Sequence, residues 1–393
     1  MKKLKYILTL TSIFLFVLII LNQPRSITKN DALIHCEITN MMIFNNLNPY
    51  LEENIEKVIP DDFIVSSNKI GTNYLPLVVK SFKIFCHPYV DWVENYKYFL
   101  SCIPLLLIIF WNKRFKLANF ILLLTGFNGF YQALRSGNIS IVSQLLLILF
   151  FIQIFKKHYK LASVLFAMLI YIKLTLLPML ILLIFGIKNK KIKEFVTYSA
   201  LILLFIVAIT FVTERELFNT WIQYFNVFSN SENINSFSVF DDIFGNYYDT
   251  PSVPNLLHYL LELNLLIFVF FSSLLIFFIF SILKNFLKYP RNEERIILDS
   301  FLIYLILNPY FRTYHLIEIS IFLCFYFYKQ SHNEALLIFL VSIIPQLTLL
   351  RFIKVDNVVF EEIFISLYAP LIVVLIAINN YLKNKGIKKE TSN

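Results

Sequence analysis

Apolar stretches follow one another along this chain almost from end to end. A helix needs about 20 predominantly apolar residues to cross a bilayer. Runs of that kind fall at roughly 6–21, 98–111, 117–134, 139–155, 161–173, 175–187, 195–213, 256–283, 297–311, 315–328, 334–350 and 363–382. Several are short, so some are expected to be re-entrant or to merge, which leaves ten to twelve spans. Composition agrees: 58% of the 393 residues are apolar and 16% charged, against nearer half and a quarter in a soluble domain. The fold class is therefore expected to be all-α, a polytopic membrane protein forming a single integral membrane domain over 1–393.

Lysine and arginine orient the spans, because cytoplasmic loops carry the excess of both. If "MKKLK" starts inside, the inside segments are that start, "NKRFK", "KKHYK", "IKNKKIKE", "KNFLKYPRNEER", "KQSHN" and "KNKGIKKETSN", which together hold 22 of the 35 Lys and Arg residues. Of the 26 acidic residues, 20 fall outside or at outer span ends. Both termini are thus expected in the cytoplasm, with the plasma (inner) membrane as the home of the chain. The N-terminal run lacks a small-x-small cleavage site and reads as a retained first helix. Two long loops, 22–97 and 214–255, then face away from the cytoplasm. The same sorting explains the net charge of +9 as loop charge, which excludes a nucleic-acid partner. The four cysteines form no C-x-x-C pair, so a structural zinc site is not expected. Cys36 and Cys86 share a compartment in this topology and are free to pair, with free thiols the preferred reading.

The unusual polar residues gather on the outer side. In "NDALIHCEITNMMIF" the residues Ile38, Met41, Met42 and Phe44 lie at helical spacing, giving an amphipathic helix able to rest on the outer leaflet. Asp31, at its start, suits a general base taking a proton from a hydroxyl, although spacing alone favours an N-cap. "NYLPLVVKSF" reads as a second interfacial helix, with Tyr74 before it and Pro76 in its first turn. Arg135, Gly137 and Asn138 occupy a tight outer turn. Asn138 there opens a helix whose backbone N–H groups favour anions, while Arg135 is as well explained by snorkelling. Lys173 sits between two short apolar runs and needs a partner or water at that depth. An anion contact and snorkelling to the interface explain it equally well.

The second long loop is acidic and aromatic. Asp241, Asp242 and Asp249 could ligate a divalent cation, but without regular spacing they read better as solvated surface. No other cofactor is called for. The late stretch "NPYFRTYHLIE" (308–318) interrupts an apolar run with Pro309, Arg312, His315 and Glu318. Arg312 and His315 lie on one face if the helix resumes, beside Tyr310 and Tyr314, a pocket suited to a phosphate. Glu318, a turn further, is within reach of His315.

Taken in order, these stretches resemble glycosyltransferase family 87, among the C-type polytopic glycosyltransferases that use polyprenyl-phosphate sugars. The resemblance rests on Asp31 followed by Asn48–Pro49–Tyr50, on Tyr74–Leu75–Pro76, on Gly137–Asn138–Ile139–Ser140, on Lys173 ahead of Pro178, and on Asn308–Pro309 followed by His315. Asn138 stands where the family has Gln, and Lys173 lies two residues further from its proline than the family pattern. The resemblance implies a membrane hexosyl- or pentosyltransferase of cell-envelope glycan biosynthesis, working on the extracytoplasmic side. Its partners would be a polyprenyl-phosphate-sugar donor, a glycan or glycolipid acceptor and the bilayer. It implies Asp31 as catalytic base and His315, Arg312, Lys173, Asn138 and Arg135 around the donor phosphate, with Tyr74, Tyr310 and Tyr314 lining the pocket. Two other readings fit a many-span chain with large outer loops: an O-antigen-type polymerase and a lipid-linked-sugar flippase. The flippase reading lacks the paired Pro and Gly breaks of inverted repeats.

Overall fold

The computed structural model describes residues 36, 38–42, 45–51, 53–54, 74–84, 140–186, 188–230, 257, 261, 264–288, 293–308 and 316–326. Nine helices run through them: α1 (Pro76–Ser81), α2 (Ser140–Phe155), α3 (Tyr159–Ile172), α4 (Leu177–Ile184), α5 (Lys190–Thr213), α6 (Arg215–Asn230), α7 (Leu265–Lys288), α8 (Glu293–Leu307) and α9 (Leu316–Tyr326). No strand occurs among the described residues. The expected runs at 139–155, 161–173, 195–213, 256–283, 297–311 and 315–328 correspond to α2, α3, α5, α7, α8 and α9. The run at 175–187 is a 3-10 turn, Leu174–Leu176, continued by the short α4.

Local chemistry sets these boundaries. Between α2 and α3 the chain reverses in three residues. Lys157 takes the left-handed conformation (φ 62°), and the His158 N–H reaches the Gln153 carbonyl at 2.9 Å. Pro178 falls in the first turn of α4, where a missing N–H costs nothing. Asn189 caps α5 by accepting from the Lys191 and Ile192 N–H groups. The cap starts α5 at Lys190, five residues before the apolar run, because lysines in that first turn stay exposed.

Side-chain pairing fixes the helix directions. Ser163 Oγ donates to the Phe195 carbonyl at 3.2 Å and Tyr171 pairs with Thr210, so α3 and α5 run parallel, with α4 returning between them. Arg295 at the start of α8 meets Tyr326 at the end of α9, at 2.8 Å, so these two are antiparallel. The bundle therefore has two distinct ends. The turn 156–158 and the starts of α5 and α8 lie at one. Lys173, Glu214, Asn308 and the start of α9 lie at the other.

The core is aromatic. Phe150 stacks on Phe166 at 5.2 Å, and Phe151 meets Phe301 and Phe325 at 5.3 and 4.8 Å. Helix α8 is buried without a break from Ile296 to Ile306, the mark of a central helix. The opposite pattern holds at the rim. Leu204 and Phe205 of α5 and Leu266 and Phe270 of α7 are each more than 60% exposed. Patches of this kind on a lateral surface mark contact with something apolar. α5 and the stretch Leu265–Lys284 of α7 are long and apolar enough to cross a membrane.

At Gly186 the backbone passes α8 so closely that an added Cβ would stand 3.0 Å from Ile296 Cγ2 and 3.2 Å from Ile192 Cγ2. Gly186→Ala is therefore expected to cost about 1–3 kcal/mol by overpacking, measured as a fall in the thermal midpoint of the detergent-solubilised protein.

Candidate active site

The described part of the first loop is packed into protein. Its helical residues 38–42 bury Ile38, Met41 and Met42, and Ile38 and Met42 pack against Val79 of α1 with Leu217 of α6 alongside. The amphipathic face expected to rest on the membrane is thus covered by protein, a correction with a plain cause. Periodicity shows that one face is buried, not what buries it. Thr39 Oγ1 adds a hydrogen bond to the Val79 carbonyl at 3.2 Å.

Two stretches that carry the family resemblance are bonded to each other. The Tyr50 hydroxyl donates to the Tyr74 carbonyl at 2.8 Å, and the Tyr50 N–H bonds Asn48 Oδ1 at 3.0 Å, which closes an Asx turn around Pro49. Burial pushes the Tyr50 hydroxyl far above its ordinary pKa, and Tyr171 and the Glu214 carboxylate push the same way, so it remains a donor at every physiological pH. Removing that hydroxyl with Tyr50→Phe would leave the carbonyl without this donor in a buried place. A loss of about 1–3 kcal/mol is expected, read as faster proteolysis of the first loop.

The second loop holds the first in place. Lys80 of α1 pairs with Glu214 at 2.5 Å, and Asn48 Nδ2 donates to Thr220 Oγ1 of α6 at 3.1 Å. Phe218 and Trp221 of α6 join Leu75, Val78, Phe82 and Tyr171 in one apolar cluster. The beginning of this loop is therefore a helix docked through one face, with Arg215, Glu216, Asn219 and Gln223 exposed on it. Asp241, Asp242 and Asp249 lie outside the described residues, and among the described ones no group of three or more His, Cys, Asp or Glu could hold a metal ion.

At the same end, Lys173 pairs with Glu318 of α9 at 2.5 Å, their side chains only 12% and 4% exposed. Lys173 ends α3 and Glu318 lies in the first turn of α9, so the ion pair staples two helices that are 145 residues apart. It gives Lys173 the partner that its depth calls for, in place of snorkelling; His315, the partner expected for Glu318, lies outside the described residues. Next to it, Asn308 Nδ2 donates to the Tyr304 hydroxyl at 3.1 Å, both residues buried. Depth explains the pair: neither charge is stable alone in an apolar wall, and each resolves the other. The signal was present in the sequence, since both residues stood singly within apolar runs, but spacing favoured the nearer histidine.

The elements flanking the expected site residues converge here. Cys36, Val142, Ile172 and Leu174 pack on the cluster that includes Leu75 and Tyr171, with Tyr74 beside them. In sequence these flank Asp31, Asn138 and Lys173. Lys173 in turn reaches Glu318, three residues after His315. Of the expected site residues, Tyr74 and Lys173 are described; Asp31, Arg135, Asn138, Tyr310, Arg312, Tyr314 and His315 lie outside the described residues. Cys36 is disulfide-bonded, which corrects the preference for a free thiol; Cys86 lies outside the described residues. A disulfide belongs to an oxidising compartment.

The described residues form a helical bundle with two helices long and apolar enough to cross a membrane, and the buried Lys173–Glu318 pair and the described parts of both long loops lie at one end of it. The sequence model of glycosyltransferase family 87 matches residues 98–292, about half the chain, and the chain belongs to that family. The matched part holds Arg135, Asn138 and Lys173, while Asp31, Tyr74 and the 308–318 stretch lie beyond it. Neither a curated protein nor a solved structure matches the chain.

Proposed function

We propose that the chain is a polytopic membrane enzyme that transfers a hexose or pentose from a polyprenyl-phosphate-linked donor to an acceptor hydroxyl on the extracytoplasmic side. The observation that carries this reading is the convergence at one bundle end. Segments flanking Asp31, Asn138 and Lys173 share one apolar cluster, and Lys173 ties it to the helix that follows His315. The disulfide at Cys36 supports an oxidising, non-cytoplasmic location for that end. A cytoplasmic nucleotide sugar could not readily reach it, whereas a donor that is itself a lipid diffuses to it within the bilayer.

In this reading Asp31 takes the proton of the acceptor hydroxyl as its oxygen bonds to the anomeric carbon. The bond from that carbon to the phosphate oxygen breaks, and polyprenyl phosphate leaves. Attack opposite the leaving group inverts the anomeric centre. Arg312 and His315 neutralise the departing phosphate, with Asn138 and Arg135 at the mouth of α2. Lys173 contributes differently. One of its three N–H donors is committed to Glu318, which leaves the others for a phosphate oxygen. Tyr74, Tyr310 and Tyr314 supply faces for the sugar. The glycan or glycolipid product would belong to the cell envelope.

The test is turnover by the purified protein in sealed vesicles. A polyprenyl-phosphate monosaccharide with a glycolipid acceptor is expected to yield inverted product and free polyprenyl phosphate. Product formed only from a lipid-linked oligosaccharide, or movement of the lipid-linked sugar without any covalent product, would replace this proposal with the polymerase or flippase reading.

A further inference from the structure

At the bundle end opposite the candidate site, a cavity of about 500 Å³ opens between the turn 156–158 and the first turn of α5, lined by Lys157, His158, Tyr159, Lys160, Lys191 and Glu194. Seven lysines fall within 156–160 and 188–193, all exposed. The carboxylates near them are fewer: Glu194 in the wall, and Glu293 and Glu294 of α8, the former 3.9 Å from Lys191. The Tyr159 hydroxyl, in the wall, is buried and has no hydrogen-bond partner. Burial, with Glu293 and Glu294 adding, pushes that hydroxyl up to about 12, so it is a donor at neutral pH. Backbone N–H groups at the start of α3 are at the same place. Lys157, Lys160 and Lys191 thus face a space with one carboxylate, Glu194, in its wall, and such a space calls for an anion.

The cavity continues into an apolar strip. Leu161 lines it and is 48% exposed, with Val164 and Met168 exposed below it along α3. Lys160 stands 5.9 Å from the ring of Tyr198, which begins a matching exposed row with Leu201 and Phe205 on the parallel α5. A free phosphate would use the basic pocket and leave the strip bare. An amphiphile with an anionic head would use both. We propose that this pocket binds the phosphate of an anionic glycerophospholipid in the leaflet opposite the candidate site, its acyl chains lying along α3 and α5. The proposal depends on the membrane reading but not on sugar transfer, and its test does not involve turnover.

The full-length protein, reconstituted in phosphatidylcholine vesicles with a minor fraction of phosphatidylglycerol, is extracted and its retained lipid measured by native mass spectrometry. Phosphatidylglycerol is expected to be retained in preference to phosphatidylcholine. Lys157→Ala/Lys160→Ala should lower its affinity about 30-fold, while the same charge loss at Lys284 and Lys288 of α7 leaves it unchanged. Millimolar inorganic phosphate should not displace the lipid. Equal losses in both variants would reduce the effect to diffuse surface charge and overturn the site. Displacement by inorganic phosphate would overturn the lipid assignment in favour of a soluble anion.

Discussion

Replacing Asp31 with asparagine is expected to lower sugar transfer by about 10²–10⁴-fold, the usual contribution of a positioned general base, with the protein still inserted and its melting transition unmoved. Asparagine keeps the shape of aspartate and can still cap a helix, so an N-cap role alone predicts full activity. Base and cap are therefore separable by this one substitution. The measurement is initial rate against donor concentration: a base loses kcat, and the donor KM stays near the wild-type value. His315→Ala should show the reverse weighting, because a group that holds the phosphate of the bound donor contributes before the chemical step as well as during it. Wild-type turnover in Asp31→Asn removes the assignment and transfers attention to another carboxylate. Glu318 would not be a ready substitute, since its charge is already committed to Lys173.

What the sequence made legible was local. Hydropathy placed α2 within a residue of its start, and the proline rule put Pro76 at the head of α1. Charge sorting assigned both long loops to one side, and in the structure they pack on each other through Asn48–Thr220 and Lys80–Glu214. Partner identity was not legible. The face of Ile38 and Met42 reads as apolar whether lipid or Val79 covers it. Likewise Lys173 declared the need for a counter-charge without naming Glu318, because a pairing across 145 residues is set by how α3 and α9 cross. Helix α6 was missed because hydropathy seeks wholly apolar runs, although Leu217, Phe218 and Trp221 already lie at helical spacing in a polar stretch. The link between Tyr50 and Tyr74 was equally invisible, and it gives the Asn48–Pro49–Tyr50 and Tyr74–Leu75–Pro76 stretches a single structural purpose: fastening two parts of the first loop together.

The ion pair makes the second large prediction. Lys173→Met alone should destabilise the protein by about 3–5 kcal/mol, because it leaves the Glu318 carboxylate buried without its partner. Glu318→Met alone should cost about as much for the mirror-image reason. The double variant Lys173→Met/Glu318→Met should regain most of that loss, since two apolar side chains of similar bulk suit the surrounding wall. Thermal unfolding of the three variants in one detergent gives the coupling directly. Kinetics on the double variant then separates structure from function. If Lys173 also meets the donor phosphate, the refolded core transfers sugar with a raised donor KM, because Arg312 and His315 must carry the phosphate without it. If the double variant is both stable and kinetically wild type, Lys173 is a staple and nothing more, and the proposed phosphate site loses it and keeps Arg312, His315, Asn138 and Arg135. A single Lys173→Met that melts like the wild type would show instead that water reaches the carboxylate and that the two helices are held together by apolar packing alone.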